Sequence, residues 1–140
     1  MREKLVTKYR SLKMAHRKAL VVDDEIHIVQ VVAIKLRNNG FDVTTAENGA
    51  VGLELAGEIC PDIIVTDFQM PVMTGLEMIE NLRKQESTKD IPVIMLTARG
   101  FAIEEGQKES LKISAFLSKP FSPREVLKTI EETLDTAAVI

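Results

Sequence analysis

Three aspartates, a threonine and a lysine stand at the ends of apolar runs, and between them they could bind a cation and a phosphate. Asp23 and Asp24 follow "ALVV" (19–22), and Asp67 closes "IIVTD" (63–67). Thr97 follows "VIML" (93–96), and Lys119 follows "AFLS" (115–118). One polar residue at a strand end means little, because strands usually stop at polar residues. Four such ends that together supply three carboxylates, a hydroxyl and an ammonium mean more. Gathered carboxylates repel one another unless a cation joins them. A few hard oxygen ligands suit Mg²⁺, which keeps several waters and often bridges to a phosphate. Asp67 is then either exposed at a sheet edge or held in place for chemistry.

To bring these ends together the chain must alternate strands and helices. "ALVV", "IIV" (63–65), "VIML" and "AFL" (115–117) read as strands buried on both faces, and "DVTTA" (42–46) as a more polar one. Residues 25–38 repeat apolar positions at Ile26, Val29, Val32, Ala33 and Leu36 and stop at Gly40. Asn48 can cap a helix in which Val51, Leu55 and Ile59 are spaced by four. "TGLE" (74–77) and "SPRE" (122–125) are capping boxes, the second with Pro at the first helical position. The stretch 102–112, "AIEEGQKESLK", is polar, contains Gly106 and carries the weakest helical signal. Five strands alternating with five helices predict an α/β fold with a parallel sheet covered on both faces. In such sheets ligands sit beyond the carboxyl ends of the strands, near the point where the winding reverses.

At 140 residues and 45% apolar content, the chain fits one domain with a real core. A net charge of −3 argues neither for nucleic acid nor for an acidic tail. No apolar run approaches a membrane span, and the N-terminus lacks a signal peptide's apolar stretch, so a cytoplasmic protein without a membrane partner is expected. Cys60 is the single cysteine and cannot form an internal disulfide; it is expected in a core position in a reducing compartment. His16 and His27 read as surface histidines, and Met70, Met73 and Met78 as loop and core filler. Residues 1–18 hold seven of the 18 Lys+Arg and one acid. Segment 1–17 could be a basic arm, or a short helix with Leu5, Tyr9 and Leu12 on one face. The reading adopted is a solvated basic extension ahead of a domain at 18–140, with Met14 as a second possible start.

The segments "LVVDDE", "IIVTDFQMPVMTGLEM", "PVIMLTA" and "FLSKPF" closely resemble, in order and spacing, those of the receiver domains of two-component response regulators. The resemblance covers roughly residues 18–135 and is chemotaxis-regulator-like. It implies a flavodoxin-like, doubly wound five-stranded parallel sheet in the order 2-1-3-4-5, with five helices. It further implies that Asp67 accepts a phosphoryl group from a sensor histidine kinase, a phosphotransfer protein or a small phosphodonor. Asp24, Asp67 and the backbone carbonyl of Gln69 would ligate Mg²⁺, or Mn²⁺ in its place, and Asp23 would act largely through a metal-bound water. Thr97 and Lys119 would contact phosphoryl oxygens, and Phe116 would be the switch aromatic coupled to Thr97. Gln69 and Arg99 flank the site where members of the family tune hydrolysis. In the family the Lys119-Pro120 bond is usually cis, although X-Pro bonds in general favour trans.

Physical chemistry supports these roles. An acyl phosphate on a carboxylate nucleophile is high in energy and suits signalling. In-line phosphoryl transfer needs alignment and charge neutralisation more than covalent chemistry, and a metal ion, an ammonium and a hydroxyl supply them. The chain is expected to be a stand-alone switch with a protein target and no DNA-binding domain, since it ends about one helix after "KPF". It would be a phosphoacceptor rather than a turnover enzyme. One alternative is an aspartate-nucleophile phosphohydrolase, which typically has a second Asp two residues after the nucleophile; Gln69 stands there. The other is a docking module that is not phosphorylated.

Overall fold

The computed structural model describes residues 17–98 and 105–139. The basic segment up to His16, Arg99 and residues 102–104 of the polar helix lie outside the described residues. Strands β1 (Lys18–Val22), β2 (Asp42–Ala46), β3 (Ile63–Asp67), β4 (Val93–Thr97) and β5 (Ile113–Ser118) alternate with helices α1 (Ile26–Arg37), α2 (Gly49–Ile59), α3 (Gly75–Arg83), α4 (Glu105–Ser110) and α5 (Pro123–Val139). The strands form one parallel sheet in the order β2-β1-β3-β4-β5, so the winding reverses between β1 and β3. Every residue of β3 and of β4 is buried, as expected of central strands covered on both faces.

Side-chain alternation divides the core in two. Ala19, Val21, Ile63, Val65, Ile94 and Leu96 face α1 and α5, while Leu20, Val22, Ile64, Val93 and Met95 face α2 and α3. α1 buries Val29, Val32, Ala33 and Leu36. Ile26, assigned to the same stripe by periodicity, is instead 63% exposed. It is the first residue of the helix, which begins past the ends of the strands and has no sheet beneath it there. The helix expected after Asn48 forms as α2; its fully buried residues are Gly49, Gly52 and Ala56, with Val51, Leu55 and Ile59 partly buried. A Cβ at Gly52 would lie 2.8 Å from the Met78 sulfur and 3.0 Å from Val22, so the missing side chain lets α2 approach closely.

The expected caps form at Asn48 and Thr74, and at Ser122 the serine half of the expected box forms. The Asn48 side chain accepts from the Val51 amide at 2.9 Å, and Thr74 and Glu77 cap each other reciprocally. Ser122 accepts from the Glu125 amide at 3.1 Å ahead of Pro123. Cys60 is not in the core but exposed, because it caps α2 in the left-handed conformation (φ 46°), where the chain turns outward. His27 is exposed, Met70 and Met78 are buried and Met73 is partly buried. The polar helix, expected over 102–112, is helical only over Glu105–Ser110 within the described residues. α5 runs on past residue 135 to Val139. No described helix is long and apolar enough to cross a membrane.

Arg83, the last residue of α3, ties neighbouring segments together. Its guanidinium donates to the carbonyls of Lys89 (3.0 Å) and Ile91 (2.8 Å) before β4, and to that of Leu111 (2.8 Å) at the end of α4.

Val72 has φ 71° and is 82% exposed. A β-branched side chain there is strained and gains nothing from burial. Val72→Gly is expected to stabilise the fold by about 1 kcal/mol, read as a higher urea midpoint at unchanged slope.

Candidate functional site

The sheet register delivers the candidate residues to one edge. Val22 pairs with Thr66, Asp67 with Leu96, and Thr97 with Ser118. Backbone bonds carry the order one residue past the strands, from the Asp23 amide to Ala46 (3.1 Å), from Phe68 to Leu96 (3.0 Å) and from Lys119 to Thr97 (2.8 Å). The loop after β3 folds back on the strand it leaves: the Gly75 amide donates to the Phe68 carbonyl at 2.8 Å. A Cβ at Gly75 would collide with the carbonyl oxygen of Asp67, so the position behind the central aspartate admits only glycine without a backbone shift.

Asp23, Asp24 and Asp67 each bring a carboxylate oxygen within 4.8 Å of the others. Asp23 is 1% and Asp67 7% exposed, whereas Asp24 faces solvent. The Lys119 ammonium reaches in from the β5–α5 connection, 3.2 Å from Asp67 and 3.3 Å from Asp23. The Lys119-Pro120 peptide bond is cis. Asp67 is therefore held in a buried, charged cluster and not exposed at an edge.

Burial, and behind it the charge of Asp67, push the Asp23 carboxyl up to about 6, against the lowering influence of the Glu25 amide and Lys119. Burial likewise raises Asp67, with Lys119 opposing. Burial works to lower Lys119, but the charges of Asp23 and Asp67 and its bonds to Glu25 and Asp67 outweigh that, and its pKa is raised. Two buried carboxylates whose ionised forms are disfavoured, beside a third at the surface, make an all-oxygen donor set that fits a hard divalent cation.

Thr97 is buried at the end of β4, with its hydroxyl 3.5 Å from the Leu117 carbonyl. Phe116 packs into the α2/α3 half of the core, while Lys119 lines a hollow with Ile28, Val32 and Phe121 on the other side of the sheet. The Lys108 ammonium lies 4.8 Å from the centroid of the Phe116 ring. Gln69 is exposed on the loop beside Asp67. The structure thus brings Asp23, Asp24, Asp67 and Lys119 together and sets Thr97 on the adjacent strand. Sequence reasoning missed Glu25, whose carboxylate is 3.1 Å from Lys119. Its one signal was its place directly after the two aspartates.

A doubly wound sheet with an acid cluster and a lysine at its carboxyl edge is the CheY-like receiver fold. The family model for the response regulator receiver domain matches residues 19–131, and the chain belongs to that family. It is 38% identical over 120 residues to the phosphate regulon transcriptional regulatory protein PhoB of Escherichia coli, covering 84% of this chain and 52% of that protein. It is 37% identical over 119 residues to the alkaline phosphatase synthesis transcriptional regulatory protein PhoP of Bacillus subtilis, covering 85% and 49%. The chain thus spans about half the length of these curated relatives. Among solved structures, the chemotaxis response regulator CheY4 of Vibrio cholerae superposes with a TM-score of 0.78 at 36% identity, covering 84% of this chain and 98% of that one.

Proposed function

We propose that the chain accepts a phosphoryl group on Asp67 from the phosphohistidine of a sensor kinase or phosphotransfer protein, or from a small acyl phosphate. The observation that carries this reading is the buried Asp67 carboxylate, 3.2 Å from the Lys119 ammonium within the acid cluster. An Asp67 oxygen attacks phosphorus, and the new O–P bond forms as the donor's N–P or O–P bond breaks and its electron pair departs with the donor. Asp23, Asp24, Asp67 and the Gln69 backbone carbonyl would hold Mg²⁺ or Mn²⁺. Bound there, the ion adds positive charge beside the phosphoryl oxygens. Lys119 supplies a second positive charge, and the Thr97 hydroxyl a hydrogen bond.

Output in this reading is a protein-binding surface formed by α4, β5 and α5. The bond from Thr97 to the Leu117 carbonyl is long at 3.5 Å, so its hydroxyl is readily drawn to a phosphoryl oxygen. Phe116 adjoins Leu117 in β5, and its ring then turns into the space released. A few kcal/mol of differential stabilisation suffice for such a two-state shift. The phosphorylated unit is residues 18–140, with 1–17 dispensable and the cytoplasm as its compartment. Incubation with Mg²⁺ and a small acyl phosphate tests the reading. One stable adduct supports it, continuous phosphate release would make the chain a phosphohydrolase, and no reaction would leave a docking module. Gln69, which has no acid–base capacity, disfavours rapid turnover.

Asp24→Ala is expected to abolish Mg²⁺-dependent labelling and leave the fold intact, because Asp24 is exposed and contributes a carboxylate rather than packing. Labelling of that variant at the wild-type rate would show that the cation is held elsewhere.

A further inference from the structure

The Lys119 ammonium has three N–H donors, and three carboxylates surround it: Glu25 at 3.1 Å, Asp67 at 3.2 Å and Asp23 at 3.3 Å. A phosphoryl oxygen arriving at Asp67 can be met by this ammonium only if one contact is given up. Asp23 cannot yield easily, since it is buried and also accepts the Glu25 amide at 2.9 Å. Asp67 is the acceptor itself. The Glu25 side chain is 60% exposed and can swing into water. Glu25 is also the N-cap of α1, where a side chain commonly accepts a helix amide, yet it makes no such bond and turns to Lys119.

We propose that Glu25 is a positioning residue acting through Lys119: its carboxylate holds the ammonium in the resting protein and competes for it with the incoming phosphoryl group. This rests on Asp67 being the phosphoacceptor. In the resting chain the third donor of Lys119 is spent on Glu25. A phosphodonor must displace that contact to bind, so Glu25 weakens donor binding and leaves the transfer step, in which it has already swung aside, unaltered. The same competition gives Lys119 a partner to return to when the phosphoryl group is lost.

The test uses the full chain with Mg²⁺ and acetyl phosphate, following adduct formation by intact mass against acetyl phosphate concentration. Glu25→Gln is expected to lower the half-saturating concentration about three- to fivefold, the scale of a partly exposed ion pair, with the maximal rate constant unchanged. Glu47→Gln, which removes an exposed negative charge from the hollow beside Asp23 and Asp24, is the control and should change neither. An unchanged half-saturation in Glu25→Gln, an equal fall in both variants, or a lower maximal rate in Glu25→Gln would each overturn the inference. A wild-type chain that takes no adduct sinks the phosphoacceptor reading and this inference with it. A labelled wild type beside an unaltered Glu25→Gln sinks this inference alone.

Discussion

Asp67→Asn is expected to take no phosphoryl group from an acyl phosphate under conditions in which the wild type gains a single adduct. The amide has almost the shape of the carboxylate but lacks the anionic oxygen that attacks phosphorus, so the loss should be complete rather than graded. The fold should survive. Burial already disfavours the charged form of Asp67, and Lys119 keeps Asp23 and Glu25 as partners when that charge is removed. Asp23 and Asp24 remain in place and are nucleophiles by type, so they are the internal controls for position: only Asp67 sits at the end of β3 with Lys119 against it and Thr97 on the adjacent strand. Intact-mass analysis of both proteins decides it, with circular dichroism to verify folding. An adduct of equal yield on the Asn variant would place the acceptor elsewhere.

The second large effect is on stability without divalent cations. The Asp23 carboxyl, ordinarily near 3.8, titrates at about 6 in the folded chain. The folded state therefore binds this proton more tightly than the unfolded state does. The contribution of Asp23 to stability is intact below about 3.8, declines as pH rises and is fully lost above about 6. The shift corresponds to about 3 kcal/mol. Asp67, also raised, acts in the same direction, whereas Lys119 stays protonated across this window and adds no slope. Asp23→Asn keeps an oxygen for the Glu25 amide and removes the buried charge. Its stability advantage over wild type should grow from pH 4 to pH 7, reaching at most about 3 kcal/mol, a figure that already contains the opposing attraction of Lys119. Mg²⁺ should narrow the gap by stabilising the wild type selectively. Urea unfolding at both pH values measures it. An Asn variant less stable than wild type at pH 7 without divalent cations would show that attraction to Lys119 outweighs burial.

What could be read from the sequence follows from how each feature is encoded. Central strands carry apolar residues on both faces, so "IIV" and "VIML" announced themselves as runs. Caps are local, and Asn48, Thr74 with Glu77, and Ser122 sit where short-range rules put them. The acid cluster was legible because strand ends in a parallel sheet converge by topology. The small residues that α2 buries, Gly49, Gly52 and Ala56, gave no apolar signal, because periodicity weights large side chains. Cys60 turned outward because the left-handed cap, a backbone event, overrode its hydrophobicity. Glu25 was passed over because its contact with Lys119 joins residues 94 apart, through side chains that no local pattern pairs.

The hydrogen bonds of Arg83 give the proposed output face a mechanical character. The guanidinium fastens the Leu111 carbonyl, just beyond α4, and the chain ahead of β4 to the same point on α3. α4 is thereby tethered just past its carboxyl end, which would favour a swing about that point over a slide. Lys108, three residues from Leu111, lies near that fulcrum, and the Phe116 ring sits beneath it. A small turn of the ring would act on the short arm of a lever, and the residues near Glu105 would sweep the longer arc.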